Sequence, residues 1–197
     1  QAFEHELRDE LAKHEPDVLS TLDSLDTHAA ETLYDYESPA RARLKHLLTN
    51  VLPIATRNAA IQSLFERHVG SSARWAKSWY LDWEEVVELH RLGHTIGAHG
   101  YSHEPLTRLS AAQRRQDLQR VAYVLRNGLG SDIRPLSFPY GRFDDDARNA
   151  CRQAGFVHAF TTQQAWIERD SDPLALPRVD TINVSTFLKE HAECTRI

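Results

Sequence analysis

The sequence predicts an α/β fold, a parallel sheet flanked by helices, preceded by a segment made of helices alone. Three observations predict it. A unit of helix, glycine, short apolar run and loop recurs three times between residues 82 and 193. The stretch Gly93-His-Thr-Ile-Gly-Ala-His99 mixes β-branched residues with glycines, which suits a short buried strand running into a loop. Upstream of Gly70 there is no glycine, and the apolar residues recur only at helical spacing. Alternating helices and short strands imply parallel pairing, either open or closed into a barrel.

Taken in order, Phe3, Leu7 and Leu11 share a helical face, as do Val18, Leu22 and Leu25 after Pro16. Leu44, Leu47 and Leu48 mark another helix, broken at Pro53, and Ile61, Leu64 and Phe65 continue the pattern. We expect residues 1–68 to be a helical insertion or cap segment and residues 69–197 to carry the sheet. Asp82-Trp-Glu-Glu85 reads as a capping box opening a helix through Leu92, which Gly93 stops. The strand to Ala98 follows. Ser110-Ala-Ala-Gln113 is a second capping box, predicting a helix with Leu118, Val121, Ala122 and Leu125 inward, ended near Gly128. Asp144, Asp145 and Asp146 place three carboxylates at the positive end of a third helix, which Gly155 ends. Phe156 to Thr161 then reads as a buried strand. A last unit runs from Leu174 to Asp180, with a helix from about Ser185.

Composition narrows the functions. At 197 residues the chain can bury a sizeable core. No apolar run approaches the ~18 residues of a membrane span, so no transmembrane segment is expected. A net charge of −5 argues against nucleic acid as a partner. Cys151 and Cys194 form no metal or redox motif, and Cys151, on the core side of its helix, reads as a buried free thiol. The chain neither starts with Met nor contains one, and we read it as a processed or excised segment.

Chemistry concentrates at two strand ends, where ligands of such folds bind. His99 and His103 lie just past one predicted strand, and Pro139-Tyr-Gly141 just past the next. Two neutral imidazoles on one loop suit a divalent metal, with a carboxylate as a third ligand and open positions for water. Equally, two polar loop residues can simply hydrogen-bond the backbone, and the residues alone leave both readings standing. Trp75, Trp79, Tyr80 and Trp83 suggest packing against the N-terminal helices rather than sugar stacking. Arg178 and Asp180 follow a strand and either reach the site or form a structural ion pair.

The stretch WEEVVELHRLGHTIGAHGYSHEPLTRLS, from Trp83 to Ser110, resembles the second motif region of the polysaccharide deacetylases of the NodB-homology, or carbohydrate esterase 4, family. The later SFPYGRFDDDARNACRQAGFVHAFTT resembles that family's third motif with the helix and strand after it, and LPRVDT also fits. The resemblance covers about residues 75 to 185. It implies an incomplete or distorted (β/α) barrel of the NodB-homology type and a metal-dependent hydrolase that removes N-acetyl groups from a polysaccharide or sugar. His99 and His103 become metal ligands, with zinc or another first-row divalent ion as the cofactor. The backbone N–H of Tyr140 becomes an oxyanion donor, and Pro139, Tyr140, Gly141 and Arg178 become substrate-binding residues. The partner implied is an N-acetylated carbohydrate. Two alternatives are a catalytically inactive carbohydrate-binding relative and a deacylase of a non-sugar amide.

The chain departs from the family pattern at several points. No strand ending in adjacent aspartates precedes His99, and Asp35 lacks the apolar setting for that role. Ser137 stands where the family's third motif has arginine, with Arg134 nearby. No leucine-x-histidine motif follows, leaving His158 and His191 as remaining candidates for a general acid. We expect metal affinity to be weak in a chain with only the histidine part of the centre.

Overall fold

The computed structural model describes residues 2–24, 27–34 and 36–191. It divides into two compact units, residues 1–80 and 81–197. Leu22 belongs to a helix, but Leu25, Asp35 and Cys194 lie outside the described residues, and so do the readings placed on them.

The first unit is helical, with α1 (Ala2–His14), α2 (Val18–Asp23), α3 (Thr27–Leu33), α4 (Pro39–His46), α5 (Ile54–His68) and α6 (Ser72–Trp79). A π-helical turn, Leu47–Val51, follows α4 and stops before Pro53. Pro53 cannot donate to the preceding turn, so the chain exits there and restarts as α5. Leu7, Leu11, Val18, Leu47, Leu52, Ala60 and Leu64 form the buried core, as the helical periodicity predicts. Phe3 is an exception: it is exposed, in the first turn of α1. Glu10 is buried beside this core and accepts hydrogen bonds from Ser63, Lys13 and Arg67.

The second unit is α/β, with α7 (Trp83–Arg91), α8 (Ala111–Leu129), β1 (Pro135–Ser137), α9 (Asp145–Gln153), β2 (His158–Phe160) and α10 (Val184–Glu190). Strands β1 and β2 pair in parallel, with Leu136 opposite Ala159. Single parallel bridges extend the sheet on both sides, from Ala98 to Leu136 and from Phe160 to Leu176. The order of segments in space therefore follows the chain, as repeated helix-and-strand units require. Among the described residues the sheet is an open ladder. Its buried side chains include Ala98, Leu136, Phe138, Phe156 and Ala159.

Both capping boxes form as predicted. Asp82 accepts from the Glu85 N–H at 2.9 Å while Glu85 accepts from the Asp82 N–H, and Ser110 and Gln113 repeat the exchange. Asp144 caps α9 through the Ala147 N–H at 2.7 Å. Cys151 is fully buried in α9, and burial pushes its thiol up to about 12.

Two expectations need correction. The strand before His99 contracts to the single bridge at Ala98. Ala98 pairs with Leu136 through its N–H to the Pro135 carbonyl (2.9 Å) and its carbonyl to the Ser137 N–H (2.9 Å), and Pro135 has no N–H with which to carry the ladder back toward Ile96. Helix α8 ends at Leu129, near Gly128 as expected, and its C-cap Gly130 takes the left-handed conformation at φ +67°. Gly128 itself serves packing, because a Cβ there would fall inside the ring of Trp83. That contact also corrects the aromatic cluster: Trp83, on α7, packs against Gly128 of α8, Trp79 and Tyr80 are exposed, and the Trp75 and Trp79 rings lie tilted to each other at 4.8 Å.

Candidate functional site

The bridge at Ala98 delivers the next residue, His99, to the carboxyl end of β1. Its Nδ1 lies 2.8 Å from the Ser137 carbonyl oxygen and 2.8 Å from the Ser137 Oγ. A carbonyl only accepts, so Nδ1 carries the proton and donates. Nε2 then keeps its lone pair, the tautomer a metal-binding imidazole needs. Ser137 thus orients His99.

From His99 the chain turns sharply. Gly100 has φ +71°, and a Cβ there would sit 3.2 Å from Asp117 Oδ1 and 3.3 Å from Pro139 Cγ. Asp117, buried on α8, accepts the Tyr101 N–H at 2.8 Å and the Ser102 N–H at 2.9 Å. His103 follows with φ +58°. Such a conformation costs a residue with a Cβ about 1–3 kcal/mol and persists only where surroundings enforce it. The turn brings the His103 ring centroid to 4.9 Å from that of His99 and 5.2 Å from that of Tyr140. Partial burial lowers the His103 pKa, the neighbouring His99 lowers it further, and Glu104 opposes both. The outcome favours neutral imidazole, the form that offers a lone pair.

The second loop is built by β1 and β2 together. The Phe138 N–H donates to the Phe160 carbonyl at 3.0 Å, and the buried Phe138 ring stacks on Phe143 at 5.0 Å. Pro139 is buried against Gly100, so the two loops touch. Tyr140 has φ +59° and an exposed ring. Its N–H donates to no carbonyl among the described residues. Gly141, at φ +67°, abuts Thr162 so closely that a Cβ would overlap the threonine side chain.

The remaining sequence candidates have partners of their own. The Arg178 Nε donates to the Thr161 carbonyl at 2.8 Å, tying its segment to the carboxyl end of β2. Asp180 accepts from the Ile182 N–H at 3.1 Å, which makes it a cap of the following turn. Arg134 precedes β1 and so lies at its amino end, about 10 Å of strand from the histidine rim. His158 opens β2, also at the amino end, and is exposed. His191 stacks on Phe187 at 4.2 Å and donates from Nδ1 to that residue's carbonyl. Asp144 to Asp146 open α9, and Asp144 and Asp146 face Arg114 at 3.7 and 3.6 Å.

Sequence reasoning missed Asp117. Its signal was an acidic residue beside Leu118 on the inward face of α8, a position unsuited to a solvated carboxylate. As for a metal, two neutral imidazoles with neighbouring rings fit as donors to a borderline divalent ion. Among the described residues no third His, Cys, Asp or Glu joins them. The donor set present is two imidazoles.

Comparison with known proteins gives a consistent picture. The sequence pattern of the polysaccharide deacetylase family matches residues 52–159. The chain is 29% identical over 77 residues to a poly-beta-1,6-N-acetyl-D-glucosamine N-deacetylase of Staphylococcus epidermidis, covering 38% of this chain and 27% of that protein. It is 25% identical over 100 residues to YxkH of Bacillus subtilis, named for the same family, covering 51% of this chain and 36% of that one. The chain thus spans about a quarter to a third of the length of these relatives. Among solved structures, the Streptococcus pyogenes deacetylase PplD superposes with a TM-score of 0.49 at 17% identity, over 59% of this chain and 48% of that one. IcaB from Ammonifex degensii superposes with a TM-score of 0.48 at 24% identity, over 54% and 52%.

Proposed function

We propose that this chain, which belongs to the polysaccharide deacetylase family, contributes the histidine part of a centre that removes N-acetyl groups from a carbohydrate. The family comprises hydrolases of carbon–nitrogen bonds other than peptide bonds. The observation that carries the reading is the convergence of two loops: His99 with Nε2 available, His103 beside it, and Tyr140 against His103.

In this reading His99 Nε2 and a ring nitrogen of His103 are metal ligands. A divalent ion held there, zinc first, supplies Lewis acidity that activates water and polarises the acetamide carbonyl. The protein's own groups do the rest. Ser137 keeps the His99 proton on Nδ1, so the imidazole stays a donor of its Nε2 lone pair. The left-handed backbone at Tyr140 turns out an N–H with no carbonyl partner, suited to a developing oxyanion. Pro139 and Gly141 fix that turn, and the exposed Tyr140 ring offers a face for a sugar. Arg178, anchored to Thr161, holds the neighbouring segment of the substrate side. Residues 1–68 act as a helical cap or insertion, and 69–197 as the deacetylase region.

Poly-β-1,6-N-acetylglucosamine is the first substrate to test, because a deacetylase of that polymer is among the relatives. Acetate release from N-acetylglucosamine oligomers, measured with zinc and with a chelator, is expected to depend on the metal and to be lost in His99→Ala. Release that persists unchanged in chelator contradicts the metal reading. No release from sugars, with release from simple N-acyl amides, contradicts the carbohydrate reading.

A further inference from the structure

We infer that Asp117 is a positioning residue for the histidine loop, acting on His103 through the backbone of Tyr101 and Ser102; this rests on the deacetylase reading above. Asp117 is buried on α8, 8% exposed, where an ionised carboxylate needs strong partners. Among the described residues it finds them in the loop. Its Oδ1 accepts from Tyr101 N at 2.8 Å and its Oδ2 from Ser102 N at 2.9 Å. Charge-assisted bonds of this kind are about twice as strong as neutral ones. Both fall between the two histidines, so they fix the path from one ring to the other.

Two further features point the same way. One turn along α8, the Arg120 guanidinium stacks over the Tyr101 ring at 3.9 Å, so the helix grips this residue by backbone and ring. Gly100, at φ +71°, brings its Cα against the carboxylate, where a Cβ would stand 3.2 Å from Oδ1. His103 then takes its left-handed φ of +58° immediately after the two bonded amides. Asp117 contacts neither imidazole. What it sets is where the second imidazole stands relative to the first.

Arg114 supplies a control on the same helix. It is buried to the same degree and bonds the Leu106 and Leu109 carbonyls, beyond the histidines. The full chain is compared as wild type, Asp117→Asn, Asp117→Ala and Arg114→Ala. Thermal unfolding is measured beside the ring NMR signals of ¹⁵N-labelled His99 and His103 and the affinity for zinc alone. Asp117→Asn keeps one acceptor oxygen and so retains a fold where Asp117→Ala loses it. We expect both Asp117 variants to shift the His103 ring signals and to weaken zinc binding 10- to 100-fold, the range for residues that orient metal ligands. Arg114→Ala is expected to lower stability with those signals in place. Unchanged His103 signals in Asp117→Asn, or equal shifts in Arg114→Ala, overturn the inference. Failure of the metal reading looks different: zinc binding is then the same in wild type and His99→Ala, while the ring signals still report on Asp117.

Discussion

The helices of residues 1–80 and the rim loops of residues 81–197 are held by different physics. In the helical unit, order comes from apolar burial: Leu7, Leu11, Leu47 and Leu64 fill one core, with Glu10 neutralised inside it. At the rim, order comes from bonds to backbone groups. Asp117 takes two loop N–H groups, the Ser137 carbonyl takes the His99 proton, and His103 and Tyr140 sit in left-handed conformations. A core of this kind tolerates imprecise side-chain placement, whereas a site needs particular atoms at particular places. The difference teaches where to look for function: in the region that spends stability on unusual backbone.

Substitutions can break or sharpen that contrast. The largest effect is expected for Leu11→Ala, which empties a fully buried site and should cost about 2–5 kcal/mol in denaturant unfolding. The ring NMR signals of His99 and His103 should stay in place. Their displacement would show that the two regions are not separable in this way.

A smaller loss, about 1–3 kcal/mol, is expected for Gly141→Ala, through overlap with Thr162 and a left-handed φ. Here the Tyr140 amide signal should move with the stability. A stable variant with an unshifted Tyr140 amide would contradict the tight turn.

The smallest effect under ordinary conditions belongs to Glu10. Hydrogen bonds from Ser63, Lys13 and Arg67 hold its carboxyl down to about 2 from an ordinary 4.5. The depressed folded value means its contribution is fully present above pH 4.5 and is lost as pH falls from there toward 2. Acid unfolding of wild type and Glu10→Gln should therefore diverge above that window and converge below it. Parallel curves throughout would remove the linkage.

What the sequence made legible was what short-range chemistry decides. Both capping boxes and the Asp144 cap depend on residues a few positions apart, and each formed. The order of motifs along the chain was enough to put His99 and Tyr140 on one rim, because parallel strands in sequence order bring successive strand ends together. Longer-range partners were not legible. Asp117 meets Tyr101 across 16 positions, and helical periodicity alone says nothing of which loop a carboxylate will face. Gly128 marked the helix end, but not that its missing Cβ makes room for Trp83 from another helix. The strand before His99 shrank because of Pro135, a residue on the neighbouring segment.

The central claim is that His99 and His103 act as one pair of metal donors. Zinc content after equilibrium dialysis of wild type, His99→Ala and His103→Ala tests it most directly. The account predicts that each substitution lowers bound zinc. Equal zinc in all three proteins would contradict it.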